Sequence, residues 1–190
     1  MESALISKLQ AGEEQAFKEL VESYQDKVIN TCHGFLHNRE DAEDAAQDVF
    51  IEVYRSIGTF REEARLTSWI YRIAVSKSLD ALRRNKRKKR LAFFRNMLTP
   101  DNQEVNHAQS MEASPQENLE QEERVRVLKQ AVDALPENQR VAITLHKYEG
   151  FSYSDIAEIM GTSLSAVESL IHRAKKNLQK KLFRYYGRNL

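Results

Sequence analysis

The spacing of apolar positions predicts helices along most of the chain. In the first 60 residues, apolar side chains recur at three- and four-residue steps in two stretches, as they do on helices with one buried face. These stretches contain Phe17, Leu20, Val21, Tyr24, Val28 and Cys32, then Ala42, Ala45, Ala46, Val49, Phe50 and Val53. Asn38 precedes the second stretch and is a good N-cap residue. No segment shows the convincing alternation of a β-strand.

A third helix is predicted from about Leu66, and it leads into the basic run RRNKRKKR. Its inner face would carry Trp69, Ile70, Ile73, Ala74 and Leu79. A lone tryptophan on such a stripe is more often a core residue than a functional one, so we expect Trp69 in the core. The three helices together predict one small bundle.

The helical pattern fails from Leu91 to about Glu117, where Pro100 and Pro115 interrupt the chain. Lys and Arg are absent between Arg95 and Arg124, whereas Asp and Glu are frequent. Ordinary loops rarely exceed about 15 residues, so this stretch favours a linker between two domains. We predict an all-α chain with helical domains at 1–92 and 119–190 and a flexible acidic linker at 93–118.

The second domain is predicted to begin with an apolar helix stripe at Val125, Leu128, Ala131, Val132 and Leu135. Residues 151–182 then indicate a helix, a tight turn and a second helix. Ser152 and Asp155 resemble a capping box, and Gly161 suits a left-handed turn. Ser163 and Ser165 are both candidate caps for the second helix. Its inner face would carry Val167, Leu170, Ile171, Ala174 and Leu178.

The outer face of this second helix is polar and basic, which is typical of a helix-turn-helix that enters the major groove of DNA. An ordinary helical hairpin is the alternative, because it can share the same glycine and apolar spacing. The outward positions are Glu168, Ser169, His172, Arg173, Lys175 and Lys176.

Charge is divided into blocks, although 29 basic and 28 acidic side chains give a net charge of only +1. Residues 1–60 carry 5 basic and 12 acidic groups (net −7), and residues 61–95 carry 12 and 3 (net +9). Residues 96–165 carry 5 and 12 (net −7), and residues 166–190 carry 7 and 1 (net +6). Two separate basic segments favour phosphate binding over simple solvation of helix faces.

Other features limit the class of protein. A single cysteine, Cys32, excludes an internal disulfide framework. No apolar run approaches the roughly 20 residues of a membrane span, and the first ten residues lack a signal-peptide pattern. We therefore expect a cytoplasmic protein without membrane insertion.

With LPENQR before the helix-turn-helix, and DAEDAAQDVF and TSWIYRIAVSKSLDALRR upstream, the chain resembles bacterial sigma factors of the extracytoplasmic-function (ECF) class. The likeness covers about residues 12–90 and 119–182. It implies a promoter-specificity subunit of RNA polymerase that recognises the −10 and −35 elements and helps to melt DNA. It also implies core RNA polymerase, promoter DNA and an anti-sigma factor as partners, and neither catalysis nor a cofactor.

The resemblance assigns three groups of residues. The first lies in the family's polymerase-docking helix and comprises Asp41, Asp44, Gln47, Asp48 and Phe50. The second would hold the melted −10 strand and comprises Phe60, Arg61, Arg65, Arg72, Lys77, Asp80, Arg83 and Arg84. The third would read the −35 element and comprises Ser165, Glu168, Ser169, His172, Arg173 and Lys176. Glu168 and Leu170 replace residues that are often basic in this class, which leaves the −35 sequence open.

Three other interpretations are weaker. A stand-alone helix-turn-helix regulator would bind duplex DNA without polymerase. A nuclease that uses the acidic helix lacks a nucleophile, a phosphate loop and a pocket signal. A metal site at Cys32, His33 and His37 is disfavoured for two reasons. Only Cys32 lies on the apolar stripe, and no CxxC partner exists to complete a ligand set.

Overall fold

The computed structural model describes residues 2–98 and 115–187, and the part of the chain that it describes contains helices and no strand. The prediction of an all-α fold is confirmed. The predicted linker, 93–118, lies largely outside the described residues, although helix extends into both of its ends. The helices are α1 (Glu2–Gln10), α2 (Glu14–Leu36), α3 (Arg39–Ser56), α4 (Leu66–Leu98), α5 (Pro115–Asp133), α6 (Glu137–Tyr148), α7 (Tyr153–Met160) and α8 (Leu164–Tyr186), with a 3-10 turn at Ile57–Thr59.

Helices α1 to α4 form a first unit, in which α2, α3 and α4 pack against one another as predicted. Val28, Val49 and Ile70 are completely buried at its centre. Trp69 is half-buried against this core, with its ring 5.0 Å from that of Phe60. The start of α3 is also as predicted, because the Asn38 side chain accepts a hydrogen bond of 2.9 Å from the Asp41 backbone N–H.

Helix α1 was missed by the sequence analysis. It buries Ile6 and Leu9 against the first unit and packs beside the 3-10 turn. A nine-residue helix offers only about two and a half turns of pattern, and a helix this short is marginal without tertiary packing. Its stability therefore comes from the contacts that it makes with the bundle.

Helices α5 to α8 form a second unit around Leu145, Ile156, Val167 and Ile171, which are completely or almost completely buried. The predicted face of α5 is partly wrong. Val127, Ala131 and Leu135 are buried, whereas Val125 and Leu128 are 43% and 48% exposed. The exposed pair lines an apolar groove between α5, α6 and α8 whose rim carries Lys129, Lys147 and Lys175.

The helix-turn-helix of α7 and α8 has the predicted geometry. Ser152 and Asp155 form a reciprocal capping box at the start of α7. Gly161 ends α7 in the left-handed region at φ +62°, which glycine adopts without a Cβ penalty. Ser163, rather than Ser165, caps α8, because its side chain accepts a hydrogen bond of 3.2 Å from the Ala166 backbone N–H.

The two units pack against each other, which the sequence did not predict. Phe35, Tyr71 and Leu79 of the first unit are buried in the core of the second. The Tyr71 and Phe151 rings meet edge to face with centroids 4.6 Å apart. Helix α2 approaches α6 closely at Gly34. The side of α4 that carries Tyr71 and Leu79 therefore packs against the second unit.

Candidate nucleic-acid and protein interfaces

One face of α8 presents all the side chains predicted to read the −35 element. These six residues are exposed, and the opposite side of α8 is fixed in the core by Val167, Ile171 and Ala174. The Arg173 Nε donates a hydrogen bond of 3.1 Å to the Ser169 carbonyl, which directs the guanidinium along the helix surface. The exposed set is Ser165, Glu168, Ser169, His172, Arg173 and Lys176.

The predicted polymerase-docking residues of α3 divide between three environments. Asp44 and Gln47 are exposed. Asp41 and Asp48 face α4, where Asp41 accepts a hydrogen bond of 3.0 Å from Asn85 and Asp48 lies 3.5 Å from the Arg84 guanidinium. Phe50 is only 9% exposed and belongs to the core of the first unit. It therefore packs on the inner side of α3, and little of its side chain is open to a partner.

Two exposed apolar residues extend the surface of α3, and the sequence analysis missed them. Ile51 is 48% exposed and Tyr54 is 61% exposed. They follow Asp44 and Gln47 at helical steps, so the four side chains share one side of the helix. The signal was present in the sequence, because Ile51 falls outside the alanine and valine stripe that predicts the core. The surface combines acidic, amide and apolar groups, as protein interfaces commonly do.

The loop from Phe60 to Arg65 precedes α4 and contains the first predicted −10 residues. Phe60 is 9% exposed and packs on Trp69, so it forms the floor of the loop. Arg61 is exposed to solvent. Glu62 has a φ of +56°, an uncommon conformation for a residue with a side chain, and this turns the chain sharply.

Helix α1 supports this loop from below. The Gln10 side chain donates hydrogen bonds of 3.3 Å to the Ile57 carbonyl and 2.9 Å to the Phe60 carbonyl. The Glu2 carboxylate accepts a hydrogen bond of 3.0 Å from the Leu66 backbone N–H, at the first turn of α4. These contacts satisfy backbone groups that the irregular chain leaves unpaired.

Several cations of α4 are already paired within the first unit. The Lys77 ammonium lies 2.8 Å from the Glu52 carboxylate and lowers the pKa of that group. Asp80 and Arg83 form an ion pair of 3.0 Å along α4 itself. The pair between Lys77 and Glu52 and the pair between Arg84 and Asp48 join α3 to α4. Basic groups from the +9 block thus offset acidic groups of the first −7 block.

Arg65, Arg72 and Arg83 face the second unit. Arg65 lies 2.5 Å from Asp155 and 2.6 Å from Glu158. Arg72 donates to backbone carbonyls at the end of α7, and Arg83 pairs with Glu137 of α6. Three residues predicted to bind the −10 strand are thus in contact with the domain that carries the predicted −35 helix.

The group Cys32, His33 and His37 has no metal-site geometry. Cys32 is completely buried, and burial raises the pKa of its thiol to about 11, which disfavours the thiolate that metals require. His37 instead lies 3.6 Å from the Asp133 carboxylate. Within the described ranges, no three His, Cys, Asp or Glu side chains are grouped as ligands for a metal ion. No helix in those ranges has the length and apolar character of a membrane span.

Comparison with known proteins gives matches in both units. The family model for sigma-70 region 2 matches residues 20–88, and the model for sigma-70 region 4 matches residues 126–178. The chain is 33% identical over 187 residues to the RNA polymerase sigma-H factor of Pseudomonas aeruginosa, covering 94% of this chain and 92% of that protein. It is 35% identical over 184 residues to the ECF RNA polymerase sigma-E factor of Haemophilus influenzae, covering 95% of each.

Solved structures share the fold. CnrH, in complex with the cytosolic domain of CnrY, aligns with a TM-score of 0.66 at 22% identity, over 95% of this chain and 96% of that one. The sigma factor RpoE of Bartonella quintana, in complex with the anti-sigma factor NepR, aligns with a TM-score of 0.57 at 22% identity, over 87% and 96%. With matches in both units and relatives of nearly equal length, the chain belongs to the ECF class of the sigma-70 family and is a sigma subunit that directs transcription initiation.

Proposed function

We propose that the two units divide promoter recognition between them. The second unit would read the −35 duplex through α8, and the first would bind polymerase through α3 and hold the melted −10 strand on the loop and α4. The observation that carries this proposal is the outer face of α8. All six predicted side chains are exposed there, on the second helix of a helix-turn-helix whose helices are both capped.

The chemistry of α8 suits a mixed set of base and backbone contacts. Near its start, Glu168 can accept a hydrogen bond from the N4 amino group of cytosine. His172 and Arg173 lie one turn later and can donate to base edges or to phosphates, and Lys176 follows at the next turn. The Glu168 carboxylate, the one acidic group among these cations, would repel nearby phosphates. It would therefore limit the positions that the helix can take along the DNA groove.

The first unit would act on single-stranded DNA. Arg61 is exposed on the loop, and the arginines of α4 lie behind it. Cations track the backbone of a melted strand, and contacts to unstacked bases offset the stacking lost on melting. Phe60 is covered, so we assign it the support of the loop rather than base stacking. This role involves binding energy and no chemical step.

Polymerase docking is assigned to the exposed side of α3. Asp44 and Gln47 provide polar groups, while Ile51 and Tyr54 provide apolar area. Asp48 lies at the edge of this surface and is shared with Arg84. The docking site would therefore contain an apolar centre, which the sequence-based assignment to five residues did not include.

The relatives bear on the remaining partners and on the alternative function. Two of the solved structures similar to this chain are complexes, of CnrH with CnrY and of RpoE with the anti-sigma factor NepR. We propose that this chain also has an anti-sigma partner and works in the cytoplasm, on the nucleoid when polymerase occupies a promoter. Matches to both sigma regions disfavour a stand-alone regulator, which has no use for a polymerase-docking unit.

In vitro transcription with purified core polymerase and genomic promoter fragments tests the proposal. The chain should give polymerase-dependent initiation, and Arg173→Ala should reduce it because a base or phosphate contact of about 1–3 kcal/mol is lost. Lys180→Ala is the matched control, since it removes one exposed cation of α8 outside the predicted −35 set. Tight binding to a palindromic duplex without any polymerase-dependent initiation would refute the sigma assignment.

A further inference from the structure

Arg65 makes several hydrogen bonds to two carboxylates of α7, those of Asp155 and Glu158, although these residues lie at least 90 positions away in the sequence. The Arg65 Nε and Nη2 atoms lie 2.9 Å and 2.6 Å from one oxygen of Glu158. Nη2 also donates to Asp155 at 2.5 Å, and the Arg65 backbone N–H donates to the other Glu158 oxygen at 2.8 Å. The Arg65 guanidinium accordingly lowers the pKa of the Glu158 carboxyl group. Both oxygens of Glu158 are used by this one residue.

Two further arginines on the same side of α4 continue the contact. Arg72 donates hydrogen bonds of 2.8 Å and 3.2 Å to the Glu158 and Ile159 carbonyls, in the last turn of α7. These carbonyls carry the negative end of the helix dipole, which favours a cation. Arg83 reaches both carboxylate oxygens of Glu137, at 2.9 Å and 3.0 Å, in the first turn of α6. Arg65 lies immediately before α4, and spacings of 7 and 11 residues place Arg72 and Arg83 on the side of the helix that continues from it.

The polar contacts surround a buried apolar interface. Tyr71 is 2% exposed and Phe35 is completely buried, and both pack among residues of the second unit. Apolar burial of this kind stabilises an association whose charges alone would be weak at an exposed surface. The arrangement is therefore a defined closed state, in which the second unit covers the arginine-bearing side of α4.

The second unit presents to these arginines the same kind of group as DNA does, namely hydrogen-bond acceptors. Carboxylates and carbonyls are hydrogen-bond acceptors, as phosphate oxygens are, and each guanidinium has a fixed set of donors. Arg65, Arg72 and Arg83 cannot bind α6 and α7 and a DNA strand with the same donors. The two uses of this surface exclude each other.

We propose that the closed chain is self-inhibited: α6 and α7 occupy the single-strand binding surface of α4, and the units must separate before the −10 strand binds. The inference rests on the proposed role of α4 in holding that strand. Glu158 and Glu137 would act as internal competitors of phosphate, and any partner that holds the units apart would activate the first unit.

Binding of a fluorescein-labelled single strand of roughly a dozen thymidines to the full chain, without polymerase, tests the inference. Glu158→Gln should raise strand affinity about two- to fivefold, the range that loss of an exposed ion pair allows, and should increase the radius of gyration in X-ray scattering. Glu137→Gln should act in the same direction. Glu13→Gln is the matched control, because Glu13 is exposed and its side chain makes no cap hydrogen bond.

Two outcomes would overturn the inference. One is a Glu158→Gln chain that matches Glu13→Gln in both strand affinity and dimensions. The other is a Glu158→Gln chain that expands without any gain in strand affinity. Arg84→Ala in the Glu158→Gln background separates this failure from that of the proposed function, because Arg84 is exposed on α4 and makes its ion pair with α3. An unchanged affinity there would show that α4 does not hold the strand.

Discussion

Gly34 offers a perturbation of the closed state that leaves every charge in place. Gly34 is buried in α2 where α2 meets α6. A Cβ added there would lie 3.0 Å from the Thr144 Cγ2 atom and 3.1 Å from the Tyr148 Cγ atom. Tyr148 is half exposed and its ring can turn away, but Thr144 is 2% exposed. Relief of the contact therefore requires the Thr144 side chain, or α6 with it, to shift away from α2.

The size of the expected shift in the closing equilibrium follows from two free-energy terms. Overpacking a close contact costs roughly 1–3 kcal/mol, and this term applies only while the units are together. Alanine favours the interior of a helix over glycine by about 1 kcal/mol, and this term applies in both the closed and the open chain. Gly34→Ala should therefore shift the closing equilibrium towards the open form by about 5- to 150-fold without loss of helix in α2.

X-ray scattering and circular dichroism of the free chain measure the two terms separately. We expect a larger radius of gyration, an unchanged helical content and tighter binding of the thymidine strand. Gly58→Ala is the matched control, because a Cβ at Gly58 meets nothing within 4 Å. A Gly34→Ala chain as compact as the Gly58→Ala chain would show that α6 does not constrain the interface, and the reasoning would be wrong.

Two further predictions concern Glu149 and Ser163. Burial raises the pKa of Glu149, whose Oε2 atom accepts from the Tyr71 hydroxyl of the first unit at 3.5 Å. At neutral pH, closing of the two units therefore removes the charged carboxylate from water, which opposes closing. Glu149→Gln should favour the closed chain and weaken thymidine-strand binding roughly twofold or more; tighter binding would contradict this. Ser163→Ala should lower the free energy of unfolding by about 1 kcal/mol in urea titration, and Ser165→Ala by much less. Equal effects would show that the α8 cap is assigned to the wrong serine.

The helices and their caps could be predicted because their signals are local. Asn38, Ser152 and Gly161 act on backbone groups within a few residues, and a sequence contains all the information about such contacts. The choice between Ser163 and Ser165 needed coordinates, because either residue could precede the first turn of α8. The orientation of α5 was ambiguous for a related reason: Ala131 and Leu135 fit two neighbouring stripes, and only the packing of Val127 decides between them.

The candidate surfaces depend on local signals less than the helices do. The exposed face of α8 could be read from periodicity, because its polar and apolar residues separate cleanly. Phe50 was assigned through the family resemblance, whereas its place on the apolar stripe of α3 agrees with its burial. Pairs such as Arg65 with Glu158 join residues 93 positions apart, and a sequence cannot distinguish such a pair from two solvated charges.

The contacts within the chain also give the divided charge a physical meaning. The basic block of α4 meets both acidic blocks in the closed chain: Lys77 and Arg84 pair with α3, while Arg65 and Arg83 pair with the second unit. A chain of net charge +1 can therefore hold a strong polyanion-binding surface in a largely neutralised form. Pairs with α3 stay within one unit, so separating the units leaves them in place. Separation releases only the arginines that face the second unit, which makes the opening of the units, rather than the total charge, the quantity that controls strand binding.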